Sequence, residues 1–154
     1  MALFLGTFVN KLDRKGRISV PAPFRAALAG ESFAGIVAFP SFKNPALQCC
    51  GMDWMHQLSR GLKELALFSD AQDDLAATIF AESRPLPFDP EEGRIVLPTS
   101  LIEHAGLDEA AAFVGMGPLF EIWNPETNER HKADARQRAR EKGLTLQLPR
   151  EGGS

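Results

Sequence analysis

The chain repeats itself. The segment Gly6-Thr7-Phe8-Val9-Asn10-Lys11-Leu12-Asp13-Arg14-Lys15-Gly16-Arg17-Ile18-Ser19-Val20-Pro21 returns in altered form as Phe88-Asp89-Pro90-Glu91-Glu92-Gly93-Arg94-Ile95-Val96-Leu97-Pro98, 77 residues on when counted from Gly16 to Gly93. Both copies read Gly-Arg-Ile-x-x-Pro, and each is followed by a short amphipathic stretch, residues 24–28 or 101–105, that ends near Gly30 or Gly106. The unit is strand, turn, strand, helix. A unit this short cannot bury its apolar face alone, so two pseudo-equivalent halves sharing one core are expected.

The residue types at the turn have a physical reason. Asp13 and Gly16 suit the first and fourth positions of a type I turn, where an Asp side chain accepts backbone N–H bonds and Gly tolerates positive φ. A β-hairpin with residues 8–12 and 17–20 as arms is predicted around it. Pro21 or Pro23 then fits the first turn of a helix, where a missing N–H costs nothing.

The string Val-Asn-x-Leu-Asp-x-Lys-Gly-Arg-x-Ser-Val-Pro resembles the first half of the MraZ family, bacterial transcription regulators with an AbrB-like swapped-hairpin fold. The resemblance runs from about Phe4 to Lys142. It implies an α+β fold of tandem AbrB-like units: a first repeat at 4–52 carrying the DNA-binding hairpin, connecting helices at 53–82, and a second repeat at 83–125. A basic C-terminal helix at 126–142 and a disordered tail at 143–154 complete the expected order. The family carries an Asp-x-x-x-Arg motif in each repeat. Here the first copy keeps it as Asp13 and Arg17, whereas the position four before Arg94 is Pro90 and the aspartate stands one earlier, at Asp89.

Charge separates the two turns further. Arg14, Lys15 and Arg17 against Asp13 leave the first at +2, while Arg94 against Asp89, Glu91 and Glu92 leaves the second at −2. Only the first should welcome phosphate. The asymmetry extends along the chain: residues 1–30 carry a net +4 and residues 64–92 a net −7, although the whole chain is only −3. Such opposed faces can present a basic DNA surface on one side and stay soluble on the other.

The candidate DNA-binding residues are therefore Asn10, Lys11, Arg14, Lys15 and Arg17, with Asp13, Gly16, Asp89, Gly93 and Arg94 as motif or structural positions. Arg can fork onto guanine O6 and N7 from a two-stranded ribbon laid in the major groove, while Lys and backbone amides hold phosphates. The competing structural reading is that Arg17 and Arg94 each return to the nearby carboxylate and staple their own turn. Asn10 contacts a phosphate or caps its strand.

Elsewhere the residues exclude more than they suggest. The 44% apolar composition is enough for a core. No apolar run approaches the roughly 20 residues needed to cross a bilayer, and residues 1–9 lack a signal-peptide pattern, so a cytoplasmic, nucleoid-associated protein is expected. Cys49 and Cys50 are adjacent, which disfavours an intrachain disulfide, and no metal-ligand spacing occurs; no cofactor is expected. His56, His104 and His131 lack partners that would make a base, and no nucleophile elbow or phosphate loop is present.

After the first unit, strands at 35–39 and 46–50, a helix capped by Asp53 with Trp54, Leu58, Leu62 and Leu65 on one face, and a second helix from Asp70 with Leu75, Ile79 and Phe80 turned inward are predicted. A Pro-rich link at 85–90, strands at 113–116 and 119–123, and a helix at 125–142 opened by Asn124-Pro125 follow. That helix is either a solvated helix or docks on an acidic surface of a neighbouring subunit. The tail at 143–154, ending Gly-Gly-Ser, is expected to be disordered.

What this implies is a sequence-specific DNA-binding regulator whose partners are promoter direct repeats spaced by about 10 base pairs and further copies of itself, in a homo-oligomeric ring. By resemblance, its target lies before its own gene, at the head of a division and cell-wall gene cluster. Two alternatives come from other classes: an enzyme using an Asp and Arg cleft on an anionic substrate, and an assembly scaffold binding protein through residues 64–92.

Overall fold

The computed structural model describes residues 2–149. A six-stranded antiparallel sheet runs in the order β1 (Thr7–Lys11), β7 (Ala110–Gly115), β8 (Phe120–Trp123), β4 (Ala46–Cys50), β3 (Gly35–Pro40), β5 (Arg84–Pro87). A separate two-stranded ribbon joins β2 (Arg17–Ser19) to β6 (Arg94–Val96). Among the described residues five α-helices complete the α+β architecture: α1 (Ala22–Ala27), α2 (Met52–Leu62), α3 (Asp70–Leu75), α4 (Thr99–Ala105) and α5 (Pro125–Lys142). A short π-helical turn, Ala76–Phe80, continues α3.

The strand pairing departs from the hairpin predicted at residues 8–20. Those arms pair as backbone at the Leu12–Ile18 bridge and through Asp13 N–H to the Arg17 carbonyl at 3.0 Å, and the Asn10 side chain ties them through the Ser19 carbonyl. Beyond that, β1 pairs with β7 and β2 with β6, so both arms of the predicted hairpin take their strand partners from the second repeat, while β3 and β4 of the first repeat pair with each other. The reason lies in the apolar positions. Register places Ile18 opposite Ile95, both essentially unexposed, so the ribbon buries the central residue of each copy against the other.

Backbone bonds make the exchange reciprocal. Leu97 N–H donates to the Gly16 carbonyl at 2.8 Å, and Val20 N–H donates to the Gly93 carbonyl at 3.3 Å. One core results, and its centre is aromatic. Phe24 sits 5.3 Å from Phe4, 5.5 Å from Phe8 and 4.9 Å from Phe120 by ring centroids, in edge and tilted arrangements. A smaller cluster, Val37, Phe39, Cys50 and Met55, lies against α2 and the π turn.

Other elements differ in detail. Asp53 does not cap α2: Gly51 holds the cap position, and Glu31 reaches in to accept the Asp53 N–H at 3.2 Å, a carboxylate at the positive helix end. α3 starts at Asp70 as predicted, capped by Ser69, whose hydroxyl accepts Gln72 N–H at 3.1 Å. Leu65 falls past the end of α2. The Pro-rich link contains an unpredicted strand, β5, tolerated because proline can sit on a sheet edge where one side needs no partner. The strands at 46–50 and the helix at 125–142 fall where predicted, with Asn124 Oδ1 accepting from Glu126 and Thr127 N–H. Residues 144–149 carry no regular secondary structure and are exposed. The rest of the predicted tail lies outside the described residues.

Candidate nucleic-acid interface

The first turn is built around one carboxylate. Asp13 Oδ1 accepts the backbone N–H of Lys15 at 2.9 Å and of Arg17 at 2.8 Å, while Oδ2 accepts from Arg17 Nε at 2.7 Å. Gly16 N–H closes the turn on the Asp13 carbonyl at 3.1 Å, with φ of 82° at the glycine. The backbone N–H of Arg17, followed by its side chain and the Lys15 N–H, holds the Asp13 carboxyl below its usual pKa despite some desolvation. The carboxylate thus stays charged and fixes Arg17.

The second turn keeps the ion pair in spite of its altered spacing. It is one residue longer, closing from Gly93 N–H to the Asp89 carbonyl at 3.3 Å, and Asp89 N–H bonds the Arg94 carbonyl at 2.8 Å. The added residue lets Asp89 Oδ2 reach Arg94 Nε at 2.9 Å, with Glu92 at 3.2 Å on the same nitrogen. Asp89 is held low chiefly by the backbone N–H of Glu92, and Arg94 is raised chiefly by its bond to Asp89. The stapled arrangement considered from sequence therefore exists in both turns.

Around these pairs the cations are distributed unequally. Arg14 and Lys15 enter no ion pair among the described residues and are exposed. Together with Lys11 and Arg17, Arg14 lines an open cleft of about 720 Å³ that also includes Asp13, Ser19, Arg94 and Glu109. Asn10 is committed elsewhere: its Nδ2 donates to the Ser19 carbonyl at 2.7 Å, tying β1 to β2. Gly93 lies under Arg25, whose Nε donates to the Val20 carbonyl at 3.0 Å.

Sequence reasoning treated Arg94 as belonging to a separate site. The β2–β6 register sets it opposite Ser19 and brings it into the first-turn cleft. Glu109 and Arg25 were missed as neighbours of the turns. The repeat offset held the signal, since matching Gly16 to Gly93 and Val20 to Leu97 anticipates the reciprocal contacts.

Comparison with known proteins identifies the family. The family model described as MraZ protein matches residues 3–41 and 79–146. The chain is 43% identical over 146 residues to the transcriptional regulator MraZ of Rickettsia canadensis (strain McKiel), covering 95% of this chain and 97% of that protein. The protein of the same name from Gluconacetobacter diazotrophicus is 43% identical over 157 residues, covering 100% and 99%, and that from Rickettsia rickettsii is 44% identical over 146 residues, covering 95% and 97%. A family-model match over residues of both repeats and 43% identity over essentially the whole length place this chain in the MraZ family.

Proposed function

We propose that this chain is a sequence-specific DNA-binding transcriptional regulator, not an enzyme, that reads promoter DNA through the tip of its first repeat. The observation that carries the reading is the unequal charge of two turns that are each built on an Asp–Arg pair. In the first, Arg14 and Lys15 stand exposed and outside ion pairs among the described residues. In the second, Arg94 is shared between Asp89 and Glu92.

Within the tip the roles divide by chemistry. Arg17 commits Nε to Asp13, so its two terminal nitrogens supply the fork for guanine O6 and N7, and Asp13 is a positioning residue. Arg14, Lys15 and Lys11 neutralise phosphates. Asn10 acts by holding β1 to β2, with Gly16, Gly93, Asp89 and Arg94 keeping the ribbon in shape. On this reading the fold is a tandem swapped-hairpin pair. Residues 4–52 supply DNA contact, 53–82 connect, 83–125 complete the ribbon and 126–142 lie on the periphery.

One tip binds weakly, so several tips on a homo-oligomeric ring engage direct repeats about one helical turn apart. The target is the DNA ahead of the chain's own gene, in a division and cell-wall cluster, and the protein works in the cytoplasm on the nucleoid. The test is fluorescence anisotropy with that upstream DNA and with scrambled DNA, at two salt concentrations. Wild type should prefer the native DNA and weaken with salt by roughly one power per phosphate neutralised. Arg17→Ala should lose the preference while keeping its assembly state. Undiminished preference in Arg17→Ala would overturn the mechanism.

A further inference from the structure

Two complementary surfaces stand uncovered in the chain. The first is a groove of about 290 Å³ between α2 and the α3–π segment, walled by Leu58, Leu62, Leu65, Leu75, Ile79 and Phe80. Its α3 side carries Asp70, Asp73 and Asp74, all exposed and, among the described residues, outside every ion pair; Arg60 and Lys63 stand on the α2 side.

The second surface is the end of α5 and the segment after it. The helix is rooted at its start, where Asn128 is buried and His131 stacks on Trp123 with ring centroids 4.4 Å apart. Its far end carries exposed Arg136, Arg138, Arg140 and Lys142 against Glu141. Past Gly143 come Leu144, Leu146 and Leu148, which are 65%, 97% and 92% exposed. They alternate with Thr145 and Gln147, so an extended backbone turns all three leucines to one side. The sequence reading took this stretch as unpatterned because the alternation is only five residues long.

We infer that these surfaces meet between copies: residues 144–148 of one copy lie in the α2–α3 groove of a second, with the basic end of α5 along its acidic α3 wall. The apolar row matches an apolar trough, and Arg136 and Arg140, four apart on one face of α5, meet carboxylates that are outside ion pairs among the described residues. Within a copy, α5 packs on β7 while α2 packs on β3, three strands away across the sheet, about 14 Å. Because tail and groove are different patches, the contact is head-to-tail and propagates until the rotation closes on itself. It uses none of Asp13, Arg14, Lys15 or Arg17, so it stands apart from the DNA reading.

Light scattering of the full chain across a wide concentration range tests it. Wild type should assemble, and the exposed-site variant Leu144→Ser/Leu146→Ser/Leu148→Ser should dissociate at about a hundredfold higher concentration or more, roughly tenfold for each of two or more leucines covered. Its thermal melt should match wild type. Asp70→Lys/Asp73→Lys/Asp74→Lys and Arg136→Glu/Arg138→Glu/Arg140→Glu should each weaken assembly, and combining the six reversals in one chain should restore it. A monomeric wild type, full assembly by the serine variant, or additive loss in the combined variant would each overturn the inference. Arg17→Ala should assemble normally whatever it does to DNA binding.

Discussion

Replacing Gly16 with alanine should destabilise the fold far more than the same change at Gly106, although both glycines have left-handed backbone. At Gly106, φ is 61° and ψ 38°, and an added Cβ would meet nothing within 4 Å. The cost there is the left-handed penalty of an L-residue, about 1–2 kcal/mol, reduced by the lower entropy of an alanine-containing unfolded chain, about 0.4–1 kcal/mol. At Gly16, φ is 82° and the Cβ would lie 2.7 Å from the Leu97 carbonyl oxygen. That oxygen cannot swing aside, because Leu97 N–H is itself bonded to the Gly16 carbonyl at 2.8 Å. Relief must stretch the reciprocal bond between the repeats, worth about 1 kcal/mol, besides the strain. We expect a loss of about 3 kcal/mol for Gly16→Ala against about 1 kcal/mol for Gly106→Ala. Thermal midpoints should drop by roughly 6–12 °C and 2–4 °C respectively, at 2–4 °C per kcal/mol for a chain of this size. Gly93→Ala is the internal control, since the nearest atoms its Cβ would meet, from 2.5 Å, belong to the Arg25 side chain rather than to backbone, and it should fall between the two. Urea unfolding followed by circular dichroism reads all three. Equal losses at Gly16 and Gly106 would refute the argument that Leu97 is pinned.

Further outcomes follow from the same geometry. Asp13 and Asp89 titrate below their ordinary 3.8 in the folded chain, so their stabilisation is complete above that value and is lost as pH falls through the lower folded one; urea midpoints should hold between pH 7 and 5, decline below about pH 4, and decline less steeply in Asp13→Asn/Asp89→Asn. Burial lifts the Cys49 thiol well above its normal range and pushes Cys50 up to about 12, so a thiol reagent at pH 8 should react only as fast as the protein unfolds. Phe24→Ala removes the ring at the centre of the aromatic core and should cost about 3–5 kcal/mol, seen as a shift of the urea midpoint.

How much could be read from the chain depended on the range of the interaction involved. The Asp13–Gly16 turn, the strand at 46–50 and the Asn124-capped helix are written in residues within a few positions of each other, and local chemistry recovered them. Which strands pair is decided elsewhere. Residues 8–12 and 17–20 look like hairpin arms because the turn between them is sound, yet Ile18 gains its cover from Ile95. The same distance hid Arg94 from the first-turn cleft and Arg25 from Gly93. The stapled second turn was legible as one of two readings of Arg94, although a one-residue insertion breaks the motif's fixed spacing: the carboxylate still reaches the guanidinium through a longer turn.

The exchange of strands between repeats also governs how the protein comes off the ribosome. β1 is among the first residues made, but its partner β7 follows roughly 100 residues later, a wait of about 5–20 s at ordinary rates of synthesis. Through that interval the nascent first half holds Ile18 and the Phe4, Phe8 and Phe24 rings without the chain that will cover them. A chain stopped before residue 110 would carry the locally bonded Asp13–Arg17 turn on a β1 that has no strand partner.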